Sequence, residues 1–193
     1  MKSVLISIRP EWVEKIVNGE KTIEVRKSAP KELPFKAYIY CTKDRKNLLP
    51  IEHGKVLEKV NFWENTDAYY GFGRVIGEFI CDKVDEYTFS HYEAEYRVTH
   101  VEQNAMCLNQ PELIHYGKGK PLYGWHITDL KIYDKPKEFS KFYTIPESGS
   151  DCCCGCVWHE TPLYEMPCRT CTGERKYLYR PPQSYMYVEN VEE

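Results

Sequence analysis

The sequence predicts an α+β fold, a small closed β-barrel with short flanking helices, followed by a small C-terminal metal-binding module. Three observations carry this. At least five short β-rich runs are separated by turn residues. Only two or three helical patterns occur, with no regular strand–helix alternation of the kind a parallel sheet requires. Gly77 and Gly124 fall inside strand-like runs, where they allow the bulges and close backbone approaches of a small curved sheet. A chain of 193 residues, 42% hydrophobic, can bury one good core. Composition changes near Tyr143, so residues 1–143 are assigned to the barrel and 144–193 to the module and tail.

Val4 to Ile8 is a mostly apolar strand. Pro10 then suits the first position of a helix, where its missing N–H costs nothing. Trp12, Val13, Ile16 and Val17 recur at helical spacing and form one buried face, with Trp12 as a core anchor. Asn18-Gly19 ends the helix, because glycine readily takes the left-handed cap conformation. Thr22 to Arg26 alternates with period two: Ile23 and Val25 face the core, and Thr22, Glu24 and Arg26 share the other face. A third strand runs from Ala37 to Thr42, in which Cys41 behaves as a small buried hydrophobe rather than a nucleophile. Lys43 to Tyr70 reads as an insertion with one short helix around Val56 to Phe62. Gly73 to Asp82 is the strongest strand, with a bulge at Gly77. Glu78 beside it, if turned inward, needs a cationic partner such as Lys21 or Arg26. A short helix follows at Pro111 to Tyr116, then a strand from Pro121 through Tyr133 that Pro136 ends.

Taken alone, Lys21, Glu24 and Arg26 read as a solvated ladder of surface charges, which contributes little. Their spacing says more. Gly19, Lys21, Glu24 and Arg26 make Gly-x-Lys-x-x-Glu-x-Arg. With Ser7-Ile8-Arg9-Pro10-Glu11-Trp12 and Leu122-Tyr123-Gly124-Trp125-His126-Ile127, this resembles the ASCH domain, a branch of the PUA-like β-barrels that bind RNA. The resemblance spans roughly residues 3 to 143. It implies a PUA-like barrel and a cleft lined by Lys21, Glu24 and Arg26 with Glu78 opposite. There cations would meet phosphate or base acceptors and a carboxylate would accept from an exocyclic amine. Some bacterial members of the family instead deacylate acetylated cytidine with a Lys, a Thr and a Glu. Lys21 matches the lysine, and Glu78 is the candidate glutamate, but Glu24 stands in place of the threonine. Thr22 would lie about 6–7 Å away along the strand. The expectation is therefore a nucleic-acid or nucleotide-binding protein, RNA above DNA, with an amidohydrolase as the alternative.

The C-terminal stretch carries a separate signal. Cys153 and Cys156 with Cys168 and Cys171 form two C-x-x-C knuckles, eleven residues apart. That donor set suits tetrahedral zinc, which replaces a core that so short a segment cannot build. Cys152, Cys154 and His159 leave the register open. A redox reading lacks the surrounding strand–helix–strand pattern. Four thiolates close the coordination shell, so the zinc is expected to be structural, and the module is a possible contact for a protein partner.

Composition excludes other classes. No apolar run approaches the ~20 residues needed to cross a bilayer. Met1 to Val4 enters a strand pattern without a signal-peptide layout, so the nine cysteines point to a reducing, cytoplasmic setting. A formal net charge of −3 argues against nonspecific coating of nucleic acid, so any such contact is local. The sixteen tyrosines fit a β-rich core.

Overall fold

The computed structural model describes residues 1–43, 50–52, 54–56, 69–71, 73–144, 176–177 and 181–190. The expected helix around Val56 to Phe62 lies outside them apart from Val56, which is in a strand.

The chain opens with β1 (Lys2–Ile8), α1 (Pro10–Val17), β2 (Ile23–Arg26) and β3 (Phe35–Cys41). Short strands β4 (Pro50–Glu52), β5 (Lys55–Val56) and β6 (Tyr69–Tyr70) pair with one another. Next come β7 (Val75–Cys81), β8 (Val84–Tyr87) and the hairpin β9 (Phe89–Ser90) and β10 (Glu95–Tyr96). Helices α2 (His100–Met106) and α3 (Gln110–Gly117) lead into β11 (Leu122–His126) and β12 (Thr128–Lys137). The last strands are β13 (Phe142–Thr144), β14 (Lys176–Tyr177) and β15 (Tyr185–Asn190).

Among the described residues, seven strands form one sheet in the order β12-β7-β3-β1-β15-β13-β14, and β2-β11-β8 form a second. Among the described residues no pairing joins the outer strands β12 and β14, so the expected closed barrel is replaced by an open, layered arrangement. The reason is that the large sheet is buried on both faces. Val4, Ile6, Ile8, Ala37, Ile39 and Phe79 pack into one core, while Leu5, Tyr38, Tyr40, Val75 and Tyr133 pack into another. A barrel turns only one face inward; a two-faced sheet is satisfied by layers. The second sheet covers the first core through Trp125, whose ring meets Phe35 at 5.0 Å and Tyr185 at 5.1 Å, both edge-on.

Two details set up the site. Gly19, at φ 76°, turns the chain from α1 toward β2. At Gly77 the pairing of β3 with β7 slips between Ile39↔Gly77 and Tyr40↔Val75. A Cβ there would lie 2.5 Å from the Lys131 carbonyl oxygen, so only glycine lets β12 approach. Pro136 does not end its strand: β12 runs on to Lys137, and an edge strand tolerates the missing N–H. Strand β15 pairs antiparallel with β1, Val4↔Tyr187 to Ile6↔Tyr185, so the end of the 144–193 stretch is part of the main sheet.

Candidate functional site

Strand β2 is held on two sides. Glu24 pairs with Trp125 and Arg26 with Tyr123 on β11, while the Thr22 N–H donates to the Ala105 carbonyl at the end of α2. The strand is buried throughout, which overturns the solvated ladder: Lys21, Glu24 and Arg26 are 2%, 6% and 7% exposed.

Buried charges persist only when paired and hydrogen-bonded, and these are. Glu24 lies between the cations, its Oε1 3.1 Å from Arg26 Nη2 and its Oε2 3.5 Å from Lys21 Nζ. Lys21 Nζ also donates to the Met106 carbonyl oxygen at 2.5 Å, and Arg26 Nη2 donates to the Ser7 carbonyl oxygen at 2.5 Å. Burial lowers the Lys21 pKa from its ordinary value; the Glu24 carboxylate opposes that shift. Two cations around one carboxylate leave the cluster net positive. Arg26 Nε is buried and has no hydrogen-bond acceptor among the described residues.

Aromatic rings flank the triad. Lys21 Nζ lies 5.3 Å from the centre of the half-buried Trp12 ring, and Lys15 Nζ lies 5.2 Å from it. Trp12 packs against the core, as expected, and also meets these cations. On the α3 side, Tyr116 lies within electrostatic reach of Arg26 and Glu24, and the exposed Lys27 places its Nζ 4.8 Å from the Tyr116 ring centre.

Glu78 is not part of this group. It accepts a short hydrogen bond from the Tyr133 hydroxyl and lies 3.7 Å from Lys36 Nζ, on the Tyr38 and Tyr133 side of the large sheet. The slip at Gly77 is the cause. Ile76 and Phe79 face one core although three residues apart, so the bulge turns Glu78 to the opposite face. Thr22 is exposed, unlike the buried Glu24.

Helix α2, which supplies the Met106 carbonyl, was missed in the sequence. Its signal is Thr99-x-x-Glu102: the Thr99 side chain accepts from the Glu102 N–H, and the Glu102 side chain accepts from the Thr99 N–H. Cys153, Cys156, Cys168 and Cys171 lie outside the described residues; among those described, no group of three or more potential metal-ligating side chains occurs.

A family model described as the ASCH domain matches residues 6–144. The chain belongs to the ASCH domain family. All three members of the buried triad fall inside the matched region, while the C-x-x-C knuckles and β15 lie beyond it. No curated protein matches this ASCH chain. Among solved structures, the ASCH protein of Zymomonas mobilis is 16% identical with a TM-score of 0.46, covering 97% of this chain and 88% of its own. A tyrosine-to-phenylalanine variant of that protein is 14% identical with a TM-score of 0.43, covering 100% and 94%. No helix among the described residues is long and apolar enough to cross a membrane.

Proposed function

We propose that this ASCH protein binds RNA, or a nucleotide unit of it, at the Lys21–Glu24–Arg26 triad. The observation that carries the reading is a buried, net-positive cluster in which Arg26 Nε offers a proton that no described protein group accepts. Leaving such a donor unpaired costs about 1–3 kcal/mol, and more for a charged group. A ligand acceptor removes that cost, and a nucleobase carbonyl is such an acceptor. A base also carries exocyclic N–H groups for the remaining lone pairs of Glu24. Burial changes the mode of recognition expected from sequence. Lys21 and Arg26 read the edge of an inserted group, and phosphates are left to cations at the rim.

Arg26→Lys keeps the charge and removes the fork and the Nε donor. Affinity for a labelled single-stranded hexaribonucleotide should fall roughly 10- to 100-fold, the equivalent of about 1.5–3 kcal/mol for a hydrogen bond to a charged group. A melting curve of the variant separates lost binding from lost folding. Equal affinity in wild type and a folded Arg26→Lys would sink the reading.

One observation favours hydrolysis as the second reading: burial lowers the Lys21 pKa, and a neutral amine can serve as a base. Arg26 engages Glu24 Oε1, and once Lys21 has lost its proton its amine carries the lone pair that can take one from a nucleophile. Turnover of acetylated cytidine that disappears in Lys21→Met would favour this reading over binding alone.

The cysteine-rich stretch is proposed to hold one zinc through Cys153, Cys156, Cys168 and Cys171, four soft thiolate donors suited to that ion. The pairing Tyr143↔Tyr177 and Thr144↔Lys176 supports a compact module, because it brings both ends of the stretch together on the large sheet.

A further inference from the structure

The triad is continued on the α3 side by groups that the proposed base site does not use. We infer that Tyr116 and Lys27 form a second subsite, which takes the neighbouring nucleotide of a single strand, its base on the tyrosine ring and its phosphate on the lysine. The inference rests on the RNA-binding reading and deepens it: the ligand becomes a strand of at least two nucleotides rather than a free nucleoside.

The groups are linked in succession. Trp12 meets Lys21, Lys21 meets Glu24 and Glu24 meets Arg26, and the charges of Arg26 and Glu24 are felt at the Tyr116 hydroxyl, whose pKa is raised chiefly by burial. Lys27 follows Arg26 in the chain, just past the end of β2, and its ammonium sits over the Tyr116 ring at 4.8 Å. Aromatic faces beside cations are the elements of single-strand recognition: the ring stacks on a base of any identity and the cation follows the backbone. Tyr116 is half-buried, which holds the ring in place, while Lys27 is exposed and free to swing from the ring to a phosphate. An exposed cation over a ring is weakly held, so a stacked base displaces Lys27 readily. Such a local basic contact also suits a chain whose formal net charge is −3.

The test measures binding of a labelled mixed-sequence hexaribonucleotide and of nucleoside monophosphates to wild type, Tyr116→Ala, Tyr116→Phe and Lys27→Ala. Tyr116→Ala should weaken the hexamer about tenfold or more, a stacked base lost, while Tyr116→Phe stays within about twofold because the face remains. Lys27→Ala should lower the salt slope of hexamer binding by roughly one. Monophosphate affinities should stay at the wild-type level. Wild-type hexamer affinity in Tyr116→Ala, or equal losses for hexamer and monophosphate, would overturn the second subsite. If Arg26→Lys weakens the hexamer and Tyr116→Ala does not, this inference falls and the triad reading stands. If wild type binds neither ligand, both fall. Should Tyr116→Ala fail to fold, the exposed Lys27 decides: an unchanged salt slope overturns the proposal.

Discussion

Removing a proton from a buried thiol means creating a charge where water cannot solvate it. Cys81 is fully buried, and its Sγ donates to the Lys83 carbonyl oxygen at 3.2 Å. Burial accordingly pushes its pKa from 9.0 up to about 12. The unfolded thiol ionises from about pH 9 while the folded one stays neutral, so the unfolded state gains. Stability is then unaffected by this group below pH 9 and falls as pH rises from 9 toward 12. Lys21 works in the opposite sense. Its pKa is lowered in the fold, so the burial penalty is present at low pH and is relieved as pH approaches 10.5. We expect urea denaturation between about pH 8 and 11 to give a steeper alkaline loss for wild type than for Cys81→Ala. The difference should be at least about 1 kcal/mol, the equivalent of one pKa unit. Parallel pH profiles would remove Cys81 as the source. Of the triad, residue identity and spacing were legible in the sequence. Burial was not, because a Lys, a Glu and an Arg on one strand look the same whether they face water or a packed interior.

Among the secondary-structure elements, the glycines separate two uses of the same residue. Gly19 has φ 76° and nothing within 4 Å of the point where a Cβ would stand, so Gly19→Ala meets only the left-handed backbone cost of about 1–2 kcal/mol. Gly77 has no such φ constraint, but its added methyl would press on the Lys131 carbonyl oxygen at 2.5 Å and the Ile132 side chain at 2.9 Å. One of these contacts is backbone and cannot rotate aside. Gly77→Ala should therefore separate β12 from β7 and cost more than Gly19→Ala, about 2–3 kcal/mol or above. Urea midpoints of the two variants check the order, and equal midpoints would refute it. The strands β1, β3, β7 and β11 were legible because alternation and β-branched residues agree with their burial. The bulge at Gly77 was also legible, but not its consequence: one extra residue reversed the face of every side chain after it and carried Glu78 away from the triad. Helix α2 was hidden by its polar sequence, although its capping pair was in plain view.

The whole molecule depends on a strand that its family signature does not cover. β15 enters the large sheet between β1 and β13 and pairs with both, Val188 is buried, and Tyr185 and Tyr187 pack on the main core. Also, Ser184 accepts from the N–H of Ser7, whose carbonyl holds Arg26, so the triad rests partly on the C-terminal segment. This long-range pairing was not legible, because a short strand after a cysteine-rich stretch carries no mark of its partner. A chain ending at Thr144 should then expose the β1 edge and lose cooperative folding. A chain in which a short Gly/Ser linker replaces residues 146–175 should fold. It keeps β13, β14 and β15, and each halving of a loop recovers only about 0.6 kcal/mol of closure entropy, a small gain rather than a loss. If the proposed zinc is bound by Cys153, Cys156, Cys168 and Cys171, metal analysis should give one equivalent for the full chain and none for the linker variant. Melting curves should show both to be cooperative, because β13, β14 and β15 all lie outside the replaced stretch. A cooperative transition in the chain ending at Thr144 would deny β15 its role, and a linker variant that cannot fold would make the cysteine-rich stretch essential to the sheet.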